Sequence, residues 1–189
     1  STLPSHAPNR FVINIQPDQV QPLQDFLGNH GMASAALFPM VRGRLLAING
    51  RAVSAADYAE DRTRRLVERE FNLSWAEHLQ DDNQIVAGRW WEKRSAAAQW
   101  SVEEGIAKNL GIKLGDELTY QVAGQSFSAK VTSLRKVDWD SFRVNFFVIA
   151  APALLEAYPA SYITAFYLPA GDEALLNEMV RTFPNLTVI

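Results

Sequence analysis

No cysteine occurs in the 189 residues, which excludes a disulfide framework, a thiolate nucleophile and a zinc–thiolate centre. That composition fits any compartment and agrees best with one in which stray thiols would be oxidised. Long hydrophobic runs are lacking as well. The longest, Phe146 to Leu155, is interrupted at Pro152 and falls far short of the ~20 apolar residues that span a bilayer as a helix. No segment combines a basic start with the apolar centre of a secretory leader. Neither sign of charge dominates: 18 basic and 21 acidic residues leave a net charge of −3. The densest basic stretch, Arg62-Thr63-Arg64-Arg65, lies among Asp57, Glu60, Asp61, Glu68 and Glu70. Glu60 with Arg64, and Asp61 with Arg65, stand at the i,i+4 spacing of helical ion pairs. That describes a solvated helix face, and nucleic acid is not an expected partner.

The motifs of enzyme chemistry are equally scarce. His6, His30 and His78 are the three histidines; no two have the spacing of helical metal ligands, and HExxH is absent. No phosphate-cradling glycine loop occurs, so any ATP that drives the protein's work must be bound by another chain or domain. Gly124-Gln125-Ser126-Phe127-Ser128 lacks the second glycine of a nucleophile elbow and sits where a hairpin is expected. Asp138-Trp139-Asp140 places two carboxylates on one side if extended, as an acid and base or a cation site would need. With no third acid nearby in sequence, it reads as a solvated turn. Neither a catalytic residue, a cofactor site nor a metal site is expected.

What the chain does contain is an ordinary globular composition, 48% apolar and 21% charged, arranged in clear periods. Phe11, Ile13 and Ile15 on one face, with Asn14 and Gln16 on the other, predict a strand with the first set buried. A helix is predicted after Asp18, with Val20, Leu23, Phe26 and Leu27 inward and Gly28 to Gly31 ending it. A long strand follows over 37–48, and Asn49-Gly50 signals a type I′ hairpin turn, which needs positive φ at both central residues. Ser54 and Asp57 form a capping-box pattern opening a charged helix to about Arg69, and Ser101 with Glu104 opens a second, stopped by Gly111. Between and after them Phe71 to Trp75, Leu118 to Val122, Phe127 to Ser133, Val144 to Ile149 and Tyr162 to Leu168 read as strands. A helix over 172–183 and a strand over 186–189 close the chain.

Both ends therefore read strand-helix-strand around a β-rich middle. This is an α+β pattern: a ferredoxin-like split βαβ subdomain formed by 1–70 and 161–189, with a small β-rich barrel or sandwich inserted over 71–160. The five tryptophans, Trp75, Trp90, Trp91, Trp100 and Trp139, fall in or beside the inserted part. They can serve as its core or as an interaction surface. Trp90 and Trp91, being adjacent in an extended segment, are expected on opposite faces. Together with Phe142, they are the candidate interaction residues.

Ser133-Leu134-Arg135-Lys136-Val137-Asp138-Trp139-Asp140-Ser141-Phe142-Arg143-Val144-Asn145-Phe146-Phe147 resembles a signature of bacterial FtsX-like, MacB-type ABC-transporter permeases. So do Asn14-Ile15-Gln16-Pro17, Val86-Ala87-Gly88-Arg89-Trp90-Trp91, Leu110-Gly111-Ile112-Lys113-Leu114-Gly115-Asp116 and Tyr162-Ile163-Thr164-Ala165-Phe166-Tyr167-Leu168-Pro169. The resemblance implies the periplasmic core domain of an inner-membrane permease, in which a porter-like subdomain carries an inserted β-rich one. It implies no enzymatic activity. The partners it implies are the permease's own transmembrane segments, a separate cytoplasmic ATPase subunit, and a periplasmic esterase or other periplasmic protein. The implied role is mechanical: ATP-driven movement outside the membrane that exports or extracts hydrophobic or lipid-like compounds, in a group associated with lysophospholipase or thioesterase function. The apolar end at Leu186-Thr187-Val188-Ile189 fits a segment of a longer polypeptide. Two other readings stay open, a free periplasmic sugar- or lipid-binding module and a hydrolase built on Asp138 and Asp140.

Overall fold

The computed structural model describes residues 6–94 and 97–189. In chain order its elements begin with β1 (Arg10–Ile15), α1 (Val20–Asn29), β2 (Leu37–Ile48), β3 (Arg51–Ala52) and α2 (Asp61–Glu68). There follow β4 (Phe71–Trp75), β5 (Asn83–Gly88), β6 (Gln99–Glu103), α3 (Glu104–Leu110), β7 (Glu117–Val122) and β8 (Gln125–Val137). The last are β9 (Val148–Ala150), α4 (Pro152–Leu155), β10 (Ser161–Phe166), α5 (Glu173–Thr182) and β11 (Thr187–Val188). The class is α+β. The described residues fall into two compact units, one of residues up to Met40 with Trp139–Val144 and Ala160–Ile189, the other of Val41–Asp138 and Asn145–Pro159.

In the first unit the strands lie in the order β11-β1-β10-β2, antiparallel at every step. Leu37–Met40 are the part of β2 that takes part. The core is made by Val12 and Ile15 of β1, Leu23 and Leu27 of α1, and Met179 of α5, joined by Phe166, Leu168, Phe183 and Leu186. The expected inward set of β1 is therefore corrected: Phe11 and Ile13 are half-buried, and Val12 is fully buried. The cause is a bulge. Val12 pairs with Thr164 but Ile15 with Tyr162, so one extra residue on β1 reverses the alternation between them. Asn14 takes up the extra residue with φ of 63°, a left-handed conformation that asparagine tolerates better than most residues. On α5, Met179 and the partly buried Leu175 and Leu176 face the core, whereas Val180 is exposed.

The second unit closes a ring of strands. β2 pairs with β7, β7 with β8, β8 with β6, β6 with β9, β9 with β4, and β4 again with β2. β5 adds to the outside of the ring along the far half of β8. Such closure leaves no unpaired edge in the ring itself. Its interior is aromatic: Tyr120 lies 5.0 Å from Trp100 and 5.9 Å, edge-on, from Phe71 between ring centroids. Because Val41–Ile48 pair with Phe71–Leu73 and Leu118–Gln121, the second unit starts at Val41 rather than near residue 71.

Local signals were obeyed where the requirement is local. Asn49 and Gly50 both have positive φ, 52° and 76°, and join β2 to β3. Ala123 and Gly124 make the corresponding turn between β7 and β8. Gly111 ends α3 with φ of 75°. Two caps are corrected. Ser54 and Asp57 do form a capping box, but on a single turn, Ala55–Asp57, after which Tyr58 is extended and α2 starts afresh at Asp61. There Arg64 contacts Asp61 at the i,i+3 spacing in place of the Glu60 pairing. Ser101 does not cap α3; it is a buried residue of β6, and Glu103 caps the helix by accepting from the amides of Gly105 and Ile106 at 2.8 Å.

Candidate functional site

The chain leaves β5 at Gly88 with φ of 71°, and the Arg89 amide donates to Thr132 O at 3.0 Å. This turn carries Trp90 and Trp91 out of strand geometry, so they do not take opposite faces. Their rings stack with centroids 4.0 Å apart and planes 31° apart. Each indole N–H is spent on main chain, Trp90 Nε1 donating to Glu77 O and Trp91 Nε1 to Ala76 O, both at 2.8 Å. Trp91 is only 4% exposed and acts as a floor for its neighbour. Trp90 is half-buried.

Trp90 forms one wall of an open groove of about 690 Å³ in the second unit. Arg89, Lys93, Leu114, Lys130 and Thr132 also line it. Lys130 and Thr132 reach it together because residues two apart in a strand share a face; Val131 between them is buried. The grouping of Leu114 and Lys130 with Arg89 and Lys93 was missed in the sequence, where those two lie far from each other and from the Trp90–Trp91 segment. The pairing of β8 with both β6 and β7 at Lys130 is what assembles them.

Phe142 belongs to the first unit, so the groove does not include it. It follows the turn Trp139–Ser141 and has φ of 56° with its side chain 46% exposed. A bulky residue in the left-handed region is disfavoured, and an exposed phenyl ring gains little from burial, so neither backbone preference nor core packing accounts for phenylalanine there. Trp139, 48% exposed, is the tryptophan most open to solvent.

The chemistry that sequence reasoning missed is Arg135. It is fully buried in the second unit, on the same stretch that carries the resemblance. Its Nε donates to Ser101 Oγ at 2.9 Å, its Nη1 to Asn83 Oδ1 at 2.6 Å, and its Nη2 to Phe146 O and Phe147 O at 2.9 and 3.0 Å. Ser133 Oγ donates to Ser101 Oγ at 2.7 Å. Asn83 in turn bonds Asn145 at 2.8 Å, and Asn145 bonds Asp82 at 2.7 Å. Burial lowers the Arg135 pKa to about 10, opposed by the charges of Glu103 and Asp82, so the group stays cationic at neutral pH. Each of the three guanidinium nitrogens donates to a fixed protein acceptor, which makes this a clasp rather than a substrate site.

Little else offers reactivity. Among the described residues no group of three or more His, Asp or Glu side chains could hold a metal ion. Asp138 and Asp140 are exposed and do not lie in one strand. Tyr120, fully buried, has its pKa raised by loss of solvent, and it is not among the residues that line the groove. No described helix is long and apolar enough to cross a membrane.

No protein-family model matches the chain. The sequence is similar to part of a transporter permease. That relative is the protein named "Uncharacterized ABC transporter permease YbbP" of Escherichia coli (strain K12), 41% identical over 187 residues. The match takes in 99% of this chain and 22% of the relative, so the chain spans about a fifth of its length. Among solved structures, a crystal structure of a domain of a candidate permease protein from Porphyromonas gingivalis is similar with a TM-score of 0.47 and 11% identity, covering 99% of this chain and 91% of that one.

Proposed function

We propose that this chain is an extracytoplasmic, periplasmic domain of an FtsX-like, MacB-type ABC-transporter permease. The observation that carries the proposal is the 41% identity, over almost the whole chain, to a part of an ABC-transporter permease. A separate cytoplasmic ATPase subunit would bind the nucleotide, in keeping with the lack of any phosphate-binding loop in the sequence. Its hydrolysis would move this domain mechanically and so drive export or extraction of hydrophobic or lipid-like compounds. The strand order β11-β1-β10-β2, with α1 and α5 as the two crossing helices, supports reading the first unit as a ferredoxin-like, porter-like subdomain. Phe142 and Trp90 are the proposed contacts to periplasmic partners, an esterase among them, and Trp91 supports Trp90 from beneath.

The absence of cysteine makes the location directly testable. Ser126→Cys, in the exposed β7–β8 hairpin, gives a single thiol in this domain of the full-length permease. With any other cysteines of that permease removed, a membrane-impermeant maleimide should label it in intact spheroplasts. Labelling only after lysis would overturn the periplasmic assignment. Coupling is read separately, by ATP turnover and efflux in proteoliposomes holding permease and ATPase. Efflux that persists when this domain is excised would overturn the mechanical role.

A further inference from the structure

The groove beside Trp90 combines an apolar wall with a cationic rim, on a chain of net charge −3. Its apolar wall is Trp90 with Leu114, which is 46% exposed. Its rim carries Arg89, Lys93 and Lys130 against the single acid Glu92. Among the described residues none of these three cations pairs with a carboxylate. The rim thus has an excess of unpaired positive charge where the molecule as a whole is negative. At about 690 Å³ the groove lies within the ~300–1,000 Å³ usual for small-molecule sites.

The hydrogen-bonding capacity of the walls limits what can fit. A peptide added as a strand needs free main-chain groups, but Val131 O already accepts from Gly115 N at 2.8 Å and Thr132 O from Arg89 N at 3.0 Å. A neutral sugar needs an open aromatic face and polar partners. One face of Trp90 is covered by Trp91, both indole N–H groups are spent, and the remaining polar groups are mostly cations. An aliphatic chain asks nothing of the wall but apolar contact, and an anionic head matches the rim.

We propose that this groove binds a single-chain amphiphile with an anionic head, its chain against Trp90 and Leu114 and its head among Arg89, Lys93 and Lys130. A carboxylate and a phosphate head satisfy the rim by the same chemistry. The inference deepens the transporter reading and rests on it only in taking the bound amphiphile to be what the permease handles.

The test is calorimetric titration of the 189-residue domain with dodecanoate, dodecyl phosphate and dodecyl maltoside, each below its micelle concentration, and with inorganic phosphate. Indole N–H resonances report the contact with Trp90. Both anionic amphiphiles should bind saturably and shift the Trp90 signal. The maltoside and inorganic phosphate should bind at least about tenfold more weakly, since each offers only half of the match. Reversing two exposed cations, Lys93→Glu with Lys130→Glu, should weaken dodecanoate by about tenfold, as expected for a few surface charge contacts, and leave the maltoside unchanged. A thermal melt coinciding with that of the parent shows the variant to be folded; Lys130→Gln, which removes one charge, should give an intermediate loss. Equal binding of the maltoside, equal binding of inorganic phosphate, indifference to charge reversal, or no binding at all would each overturn the proposal. Efflux by the full permease separates the two readings: a domain that binds dodecanoate in a permease that exports nothing tells against transport alone, and an exporting permease whose domain fails to bind tells against the groove alone.

Discussion

Arg135 Nη1 donates to Asn83 Oδ1 at 2.6 Å inside the second unit, at a point where neither residue reaches solvent to any useful extent. The same guanidinium holds the carbonyls of Phe146 and Phe147. One side chain therefore ties β5, β6 and β8 to the segment that enters β9. Ser101, Asn83 and the two carbonyls are neutral, so the cation is held by dipoles rather than by a direct ion pair.

Replacing Arg135 by Met should destabilise the domain by about 3–5 kcal/mol, because burial of a cation is exchanged for several buried acceptors left without donors. Urea unfolding of both proteins measures it. The sign with pH follows from the lowered pKa of about 10. Between that value and the ordinary arginine range above it the unfolded chain holds the proton and the folded one does not, so stability from this group rises with pH there. Below pH 9 both states are protonated. The difference between Arg135 and the Met variant should therefore stay constant from pH 6 to 8, and a slope in it over that range would show that the cation is not what the clasp holds.

Asn14 should accept Gly and reject Val. With φ of 63°, Asn14→Gly removes the conformational cost and loses two exposed side-chain bonds, the one donated to Asn185 O and the one accepted from Gln16 Nε2, for a net change within about 1 kcal/mol. Asn14→Val should cost about 1–2 kcal/mol or more from the left-handed backbone alone. A Val variant as stable as the Gly one would mean that the bulge had moved.

The three interaction candidates should separate by burial. Trp91→Ala is expected to cost about 3–5 kcal/mol, as for a core tryptophan, and Trp90→Ala less. Phe142→Gly should leave stability unchanged or raise it, since it relieves the φ of 56° and removes a ring that is 46% exposed. Under the proposed function the same Phe142→Gly change should impair export by the full permease. Thermal melts of the domain and efflux by the permease check the two halves. A destabilised Phe142→Gly would make the ring a packing residue.

Gly88 and Gly111 have nearly the same φ, 71° and 75°, but different surroundings. A methyl group on Gly88 would run into Thr132 O and Leu114, whereas nothing lies within 4 Å of one on Gly111. Gly111→Ala should cost about 1 kcal/mol, the backbone term alone. Gly88→Ala should exceed it by about 1–3 kcal/mol and should also disturb the Arg89–Thr132 bond that shapes the groove. Equal costs in denaturant titrations would show that the turn after β5 yields freely.

By itself the sequence determined what depends on a few neighbouring residues. Asn49-Gly50 needs positive φ whatever surrounds it, Gly111 can stop a helix without help, and alternation from Leu118 to Val122 follows from the pleat of a single strand. Glycine loops, metal spacings and nucleophile motifs are short-range patterns too, so their lack could be read directly. The tertiary structure decided whatever depends on a partner distant in the chain. The bulge at Asn14 comes from registering β1 against β10, some 150 residues later, and it turned Val12 inward where alternation alone favoured Phe11 and Ile13. Ser101 had the neighbours of a helix cap, but pairing with β8 and β9 made it a strand residue and an acceptor for Arg135. Trp90 and Trp91 stack because the chain turns at Gly88 to meet Thr132, and Lys93, Leu114 and Lys130 share a groove only once β8 has been joined to its neighbours. Burial and charge clustering are sums over neighbours in space, and the order of residues along the chain carries only part of that sum.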